Sequence, residues 1–108
     1  MTWEVIAFET KRGERPVADF IKSLSQNTIA KVTQGFDLLE KYGNLVRMPH
    51  SRLILKNIYE LRIRGKEEVR ILYAFKKEKI YLLHSFKKKT QKTPVKEIKT
   101  ALNRLDSI

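Results

Sequence analysis

Apolar and polar residues alternate through the central part of the chain, and this two-residue period constrains the fold more than any other feature. Residues 59–64 are apolar on one face and charged on the other, and residues 69–75 are apolar on one face and mixed on the other. Residues 80–86 are apolar on both faces, which is typical of a covered strand. Charged turns at 65–68 and 76–79 separate the three segments. The pattern predicts an antiparallel meander.

The remaining elements complete an α+β domain. Residues 3–8 are predicted to form a first strand, and Pro16 is suited to the first position of a short helix. Apolar spacing predicts a second helix that ends near Gly43, so the two helices form a hairpin, and a last helix opens after Pro94. The predicted order is β-α-α-β-β-β-(β)-α, in a mainly antiparallel sheet with a mixed edge. A chain of 108 residues accommodates one such domain, residues 1–108.

The register of the first hairpin places two arginines side by side. Aligning the apolar faces pairs Leu61 with Ile71 and therefore Arg62 with Arg70 on the other face. Like charges directly across a sheet are destabilising. Two interpretations remain open: both side chains point to water and Glu60 dilutes the repulsion, or the two guanidinium groups grip a phosphate.

Positive charge is concentrated in the second part of the chain. Lys and Arg number 23 against 12 Asp and Glu, which gives +11. Residues 1–45 are neutral overall, and residues 46–108 hold 17 basic and six acidic side chains. Such asymmetry indicates a polyanionic partner, namely nucleic acid, an anionic membrane surface or an acidic protein, although a merely solubilising cationic surface is the simpler interpretation.

Several classes of protein are disfavoured by composition. The chain has no cysteine, which excludes disulfide scaffolds, thiol nucleophiles and Cys-ligated metal sites. The chain has only two histidines, His50 and His84, which are few ligands for a metal centre. The first residues lack the pattern of a signal peptide, and no run approaches the ~20 apolar residues of a spanning helix. We therefore expect a soluble cytoplasmic protein that needs no membrane.

A lysine-rich loop, residues 87–92, links the third strand of the meander to the last helix. Four of its six residues are lysines, and it leaves the sheet close to His84. The sequence thus predicts a cationic surface for an RNA backbone, formed by Arg62, Arg70 and His84 and rimmed by Lys87, Lys88 and Lys92.

Residues 55–63, 69–73 and 83–94 resemble the RelE/ParE superfamily of bacterial toxins. The sequences YELR, VRILY and LLHSFKKKTQKTP resemble in particular the HigB-like, phage-derived branch. The resemblance implies the RelE-like fold and a toxin of a type II toxin–antitoxin pair. It further implies a ribosome-dependent endoribonuclease that cleaves mRNA at the A site, by attack of a ribose 2′-hydroxyl on the adjacent phosphate.

The resemblance also assigns roles to residues of this sequence. The predicted catalytic residues are Arg62, Arg70, His84, Lys87 and Lys88. The predicted RNA-binding residues are Arg64, Lys89, Lys92 and Lys56. No metal or other cofactor is expected, because cationic side chains stand where a metal would carry the charge. Glu60 replaces a lysine of some relatives and Ile98 replaces a tyrosine in the last helix, which disfavours tyrosine acid–base chemistry.

The general base remains open at this stage. Histidine is the residue type whose charge changes nearest neutral pH, which makes His84 a natural candidate, but it shares the parity of Ile80, Leu82 and Phe86, which equally indicates a packed side chain. Lys87 or Lys88 is the competing base, since neighbouring cations favour a neutral amine. Two tyrosines of the apolar face, at positions 59 and 73, are expected to be structural, and His50 is expected in an exposed loop.

Partners and alternative functions follow from the same resemblance. It implies a helix-turn-helix antitoxin, with a toxin–antitoxin heterotetramer as one assembly, and mRNA with the ribosome as the target. Two other functions remain open: a ParE-like toxin that inhibits DNA gyrase, and a non-catalytic cationic RNA-binding module.

Overall fold

The computed structural model describes residues 2–108, which form five strands and three α-helices. The elements, in chain order, are β1 (Glu4–Ala7), α1 (Pro16–Lys22), α2 (Gln26–Tyr42), β2 (Ser51–Leu55), β3 (Ile58–Ile63), β4 (Val69–Lys76), β5 (Lys79–Lys87) and α3 (Val95–Asp106). A short 3₁₀ turn, Gly43–Leu45, ends the helical hairpin. The predicted element order is confirmed, with a fourth strand, β2, after the helices.

The strands form one mixed sheet in the order β1-β5-β4-β3-β2. β1 runs parallel to β5 at one edge, and the other neighbours are antiparallel. This confirms the α+β fold and its mixed edge. None of the helices in residues 2–108 is long and apolar enough to cross a membrane.

Helices cover both faces of the sheet. α1 and α2 pack on one face, where Val17, Val32 and Leu39 meet the apolar side chains of the meander. α3 packs on the other face, where Ala101 lies against Leu72 and other apolar side chains. Burying side chains on both faces is the main source of stability in such an arrangement. The lysine-rich loop lies beside the end of the sheet that carries Arg62 and Arg70.

A β-bulge in β5 changes which side chains share a face. The pairing of β4 with β5 shifts between Leu72, which faces His84, and Tyr73, which faces Leu82. The extra residue, Leu83, is buried beneath α3. His84 therefore lies on the α3 face, whereas Leu82 lies on the opposite face. The predicted parity of His84 with Ile80 and Leu82 was wrong, because a bulge inverts the alternation of every residue that follows it.

Both ends of α2 carry capping residues, and the helix ends at Gly43 as the sequence predicts. Ser25 is the N-cap, and its Oγ accepts a hydrogen bond from the Thr28 N–H at 3.3 Å. Gly43 follows the helix with a positive φ of 50°. A β-carbon at Gly43 would overlap the indole of Trp3, the residue before β1, so the indole occupies the space that a side chain would need.

Replacing Gly43 by alanine should therefore destabilise the fold. Gly43→Ala combines backbone strain with a steric clash, and we expect the free energy of unfolding to fall by about 3 kcal/mol. Gly13→Ala is the matched control, since Gly13 also has a positive φ of 88° but has nothing within 4 Å of the added carbon. Urea denaturation followed by circular dichroism compares them. Equal losses would show that the contact with Trp3 contributes nothing.

Candidate nucleic-acid interface

Arg62 of β3 lies directly opposite Arg70 of β4, as the alternation predicts. Leu61 pairs with Ile71 in the same register. The two arginines differ in environment, because the Arg70 side chain is only 1% exposed whereas Arg62 is partly exposed. The interpretation that both point to water is therefore wrong for Arg70.

Glu60 explains how Arg70 is buried. Its carboxylate is fully buried, with Oε1 3.7 Å from Nε of Arg70 and 3.2 Å from Nε of Arg52. Its second oxygen accepts a hydrogen bond from Thr93, the residue that leads from the lysine-rich loop toward α3. One carboxylate thus joins three strands of the sheet to the loop above them.

A second carboxylate holds the other end of Arg70. Glu68 Oε2 lies 3.4 Å from a terminal nitrogen of Arg70, and the Glu68 side chain is 43% exposed. Burial lowers the pKa of Arg70, Glu60 opposes that change, and the nearby Arg62 lowers the pKa further. The guanidinium is thus a fixed, compensated charge beneath the surface.

Arg62 retains unused hydrogen-bonding capacity. Its Nε is buried without a hydrogen-bond partner, and one terminal nitrogen lies 3.5 Å from Sδ of Met48, a weak acceptor. Among the described residues, no carboxylate lies within ion-pair distance of Arg62. An anionic ligand in contact with the exposed part of this guanidinium would compensate its charge.

These side chains line a cleft of about 480 Å³, called here the first cleft. Its walls combine the strand arginines with the start of the lysine-rich loop. The lining residues are Arg62, Arg64, Glu68, Arg70, Lys88, Lys89, Thr90 and Gln91. Five cations and one carboxylate make it a strongly positive site.

Lys88 is the titratable group most affected by this environment. Burial lowers its pKa, and the charge of Arg70, followed by that of Arg62, lowers it further, although Glu60 opposes the change. A lysine placed in this way is more readily neutral, and so better able to accept a proton, than an ordinary surface lysine.

Two predicted catalytic residues line a separate cleft. His84 and Lys87 contribute to a second cleft, also of about 480 Å³, between the end of β5 and the start of α3. Lys87 lies 3.4 Å from Oε2 of Glu67, whose pKa is lowered mainly by a hydrogen bond from Ser25. The structure thus divides the predicted cationic surface into two sites.

Both nitrogens of His84 are occupied. A terminal nitrogen of Arg104 lies 3.2 Å from Nδ1, and Oε1 of Glu97 lies 2.8 Å from Nε2. Since arginine can only donate, Nδ1 must accept, and the proton of the neutral ring is assigned to Nε2, which donates to Glu97. This arrangement orients the ring but leaves no nitrogen free to accept a proton from a ligand.

Of the remaining predicted residues, Arg64 and Lys89 line the first cleft. Lys56 and Lys92 are exposed and line neither cleft. His50 is exposed in the loop before β2, as expected. The structural role expected of the tyrosines is also confirmed, since the Tyr73 hydroxyl shares a buried hydrogen bond with Ser51 at 2.5 Å.

A model of the phage-derived Gp49-like protein family (DUF891) matches residues 19–106. The chain belongs to this family. It is a toxin-like family of the RelE/HigB type, which confirms the resemblance at that level and implies an antitoxin partner. No curated protein matches the sequence. The matched segment of this Gp49-like protein contains every residue of both clefts.

Sequence reasoning missed three features of the Gp49-like site. Glu60 was considered only as a diluting charge, and Thr93 and Glu97 were not considered. The predicted strand register did contain a signal for Glu60, because it places this carboxylate on the same face as both arginines. No comparable signal connects Glu97 of α3 with His84, since their contact depends on how the helix packs.

Neutralising Glu60 should destabilise this protein strongly. Glu60→Gln leaves Arg70 buried with a weaker partner, and we expect the free energy of unfolding to fall by about 3 kcal/mol. Glu68→Gln removes the exposed partner of the same arginine and should cost less than about 1 kcal/mol. Thermal and urea unfolding of both variants measure the difference. Similar small losses would show that Glu60 does not hold Arg70 in place.

Lys88 should react with amine reagents at lower pH than an ordinary lysine. Only the neutral amine is nucleophilic, and a lowered pKa means that the neutral form appears at lower pH. Acetylation rates measured by mass spectrometry across a pH series should place the midpoint for Lys88 below that for Lys99, an exposed lysine of α3. Coincident midpoints would contradict the lowered pKa.

Proposed function

We propose that this protein is the toxin of a type II toxin–antitoxin pair and acts as a metal-independent endoribonuclease on mRNA presented by the ribosome. The observation that carries the proposal is the first cleft, where five basic side chains surround a space of nucleotide size and Arg62 has no carboxylate partner among the described residues. A phosphodiester of single-stranded RNA satisfies both the charge and the hydrogen bonds.

In the proposed reaction, the ribose 2′-hydroxyl attacks the neighbouring phosphorus and the bond to the 5′-oxygen breaks. Neutral Lys88 accepts the proton of the 2′-hydroxyl, and the leaving 5′-oxygen takes a proton from water. The products are a 2′,3′-cyclic phosphate and a 5′-hydroxyl. Lys88 fits the role of base because its pKa is lowered beside the arginines.

The two arginines take different parts in this mechanism. Arg62 binds the phosphate and stabilises the additional negative charge that develops on it, because no carboxylate within residues 2–108 pairs with its guanidinium. Arg70 is held below by Glu60 and Glu68, and it acts as a fixed positive charge that also lowers the pKa of Lys88. Arg64 and Lys89 extend the phosphate-binding surface.

We assign His84 and Lys87 to binding rather than to proton transfer. The nitrogens of His84 are taken by Glu97 and Arg104, and Lys87 is paired with Glu67. Lys56 and Lys92, which lie outside both clefts, contribute at most long-range attraction for RNA.

Induced expression followed by primer extension on cellular mRNA tests the activity. We expect cuts within translated codons, with a 5′-hydroxyl on the downstream fragment. Intact RNA with DNA damage would instead indicate a ParE-like gyrase inhibitor. Cells that grow with neither mRNA cleavage nor DNA damage would indicate a non-catalytic RNA-binding module.

Arg62→Gln should reduce cleavage by about a hundredfold, because it removes a charge that acts on the transition state. Arg62 is preferable to the buried Arg70, whose loss would also disturb folding. Lys99→Gln is the control for net charge, since Lys99 is exposed and lines neither cleft. A fully active, folded Arg62→Gln variant would refute the catalytic assignment.

A further inference from the structure

We propose that the second cleft is a separate subsite for single-stranded RNA, which binds the nucleotide next to the one held in the first cleft. This inference rests on the proposed function and extends it. The site binds RNA without taking part in the chemistry, and its ligand is one phosphate with its attached sugar and base.

The two clefts are adjacent along the lysine-rich loop. Lys89 and Thr90 line both of them, so the loop forms a shared wall. An RNA strand that crosses this wall passes from Arg62 and Lys88 on one side to Lys87 and Lys96 on the other. Consecutive phosphates of one strand can therefore be held in neighbouring sites.

The charge of the second cleft suits a phosphate. Lys87, Lys89 and Lys96 line it together with one carboxylate, Glu97, and Lys87 also pairs with Glu67, which lies outside the cleft lining. That carboxylate is already engaged by His84 at 2.8 Å, so it competes little for the lysines. Lys96 lies in the first turn of α3, is exposed, and forms no ion pair among the described residues.

Part of the lining of the second cleft is aromatic or apolar, a surface against which a base can pack. His84 and Phe86 stack with their ring centres 5.8 Å apart, and Phe20 and Pro94 complete the apolar lining. Arg104 holds the His84 ring in position, since it donates to the Leu83 carbonyl at 2.8 Å as well as to His84. Aromatic surfaces beside a cationic track are the common means of holding single-stranded nucleic acid.

Lys96→Gln and Lys99→Gln form a matched pair for the test. Both substitutions remove one positive charge from an exposed position of α3, but only Lys96 lines the second cleft. The ligand is a fluorescent RNA hexanucleotide carrying 2′-O-methyl groups, which cannot undergo 2′-hydroxyl attack. Fluorescence anisotropy over a series of salt concentrations measures its affinity for each folded protein.

We expect Lys96→Gln to weaken binding by about threefold and to reduce the slope of log affinity against log salt by about 0.7, the loss of one phosphate contact. Lys99→Gln should leave both quantities close to wild type. Equal effects of the two variants, or no effect of either, would overturn the subsite. Failure of the proposed function is a different result, namely absence of mRNA cleavage by the wild-type protein.

Discussion

The buried carboxylate of Glu60 is the interaction on which the rest of the site depends. An arginine with 1% exposure is tolerated inside a protein only when its charge is compensated nearby, and Glu60 provides that compensation from the adjacent strand. The same carboxylate contacts Arg52 and Thr93, so it also ties the edge strand and the lysine-rich loop to the sheet. Glu60 is thus the buried carboxylate that holds the strands and the loop of the first cleft together, whereas Glu68 pairs with Arg70 from a more exposed position.

The lysine-rich loop divides the surface into two sites of different character. On one side, Lys88 stands above two arginines, and burial together with their charge lowers its pKa. On the other side, Glu97 and Arg104 occupy both nitrogens of His84 and fix the ring against Phe86. Proton transfer suits the first environment and rigid binding suits the second. In the proposed mechanism, proton transfer and RNA binding therefore lie on different sides of one loop.

Much of the fold could be predicted because its signals are local. Alternation of apolar side chains identified the meander and its register, including the pairing of Arg62 with Arg70. Gly43 marked the C-terminal end of α2. The position of His84 could not be predicted in this way. A bulge at Leu83 shifts the alternation by one residue, and no residue type in this segment distinguishes a bulged strand from a regular one.

The sequence by itself determined the element order, the strand register of the first hairpin and the concentration of positive charge in residues 46–108. Each follows from the spacing and type of residues that are close in the chain. Only the tertiary structure decided which cations are buried, which are paired and which remain free for a ligand. Those properties depend on contacts such as Glu60 with Thr93 and His84 with Glu97, which join distant segments. Burial and ion pairing depend on such neighbours. Residues that are equally basic in the sequence therefore differ in the structure in pKa and in whether their charge is compensated.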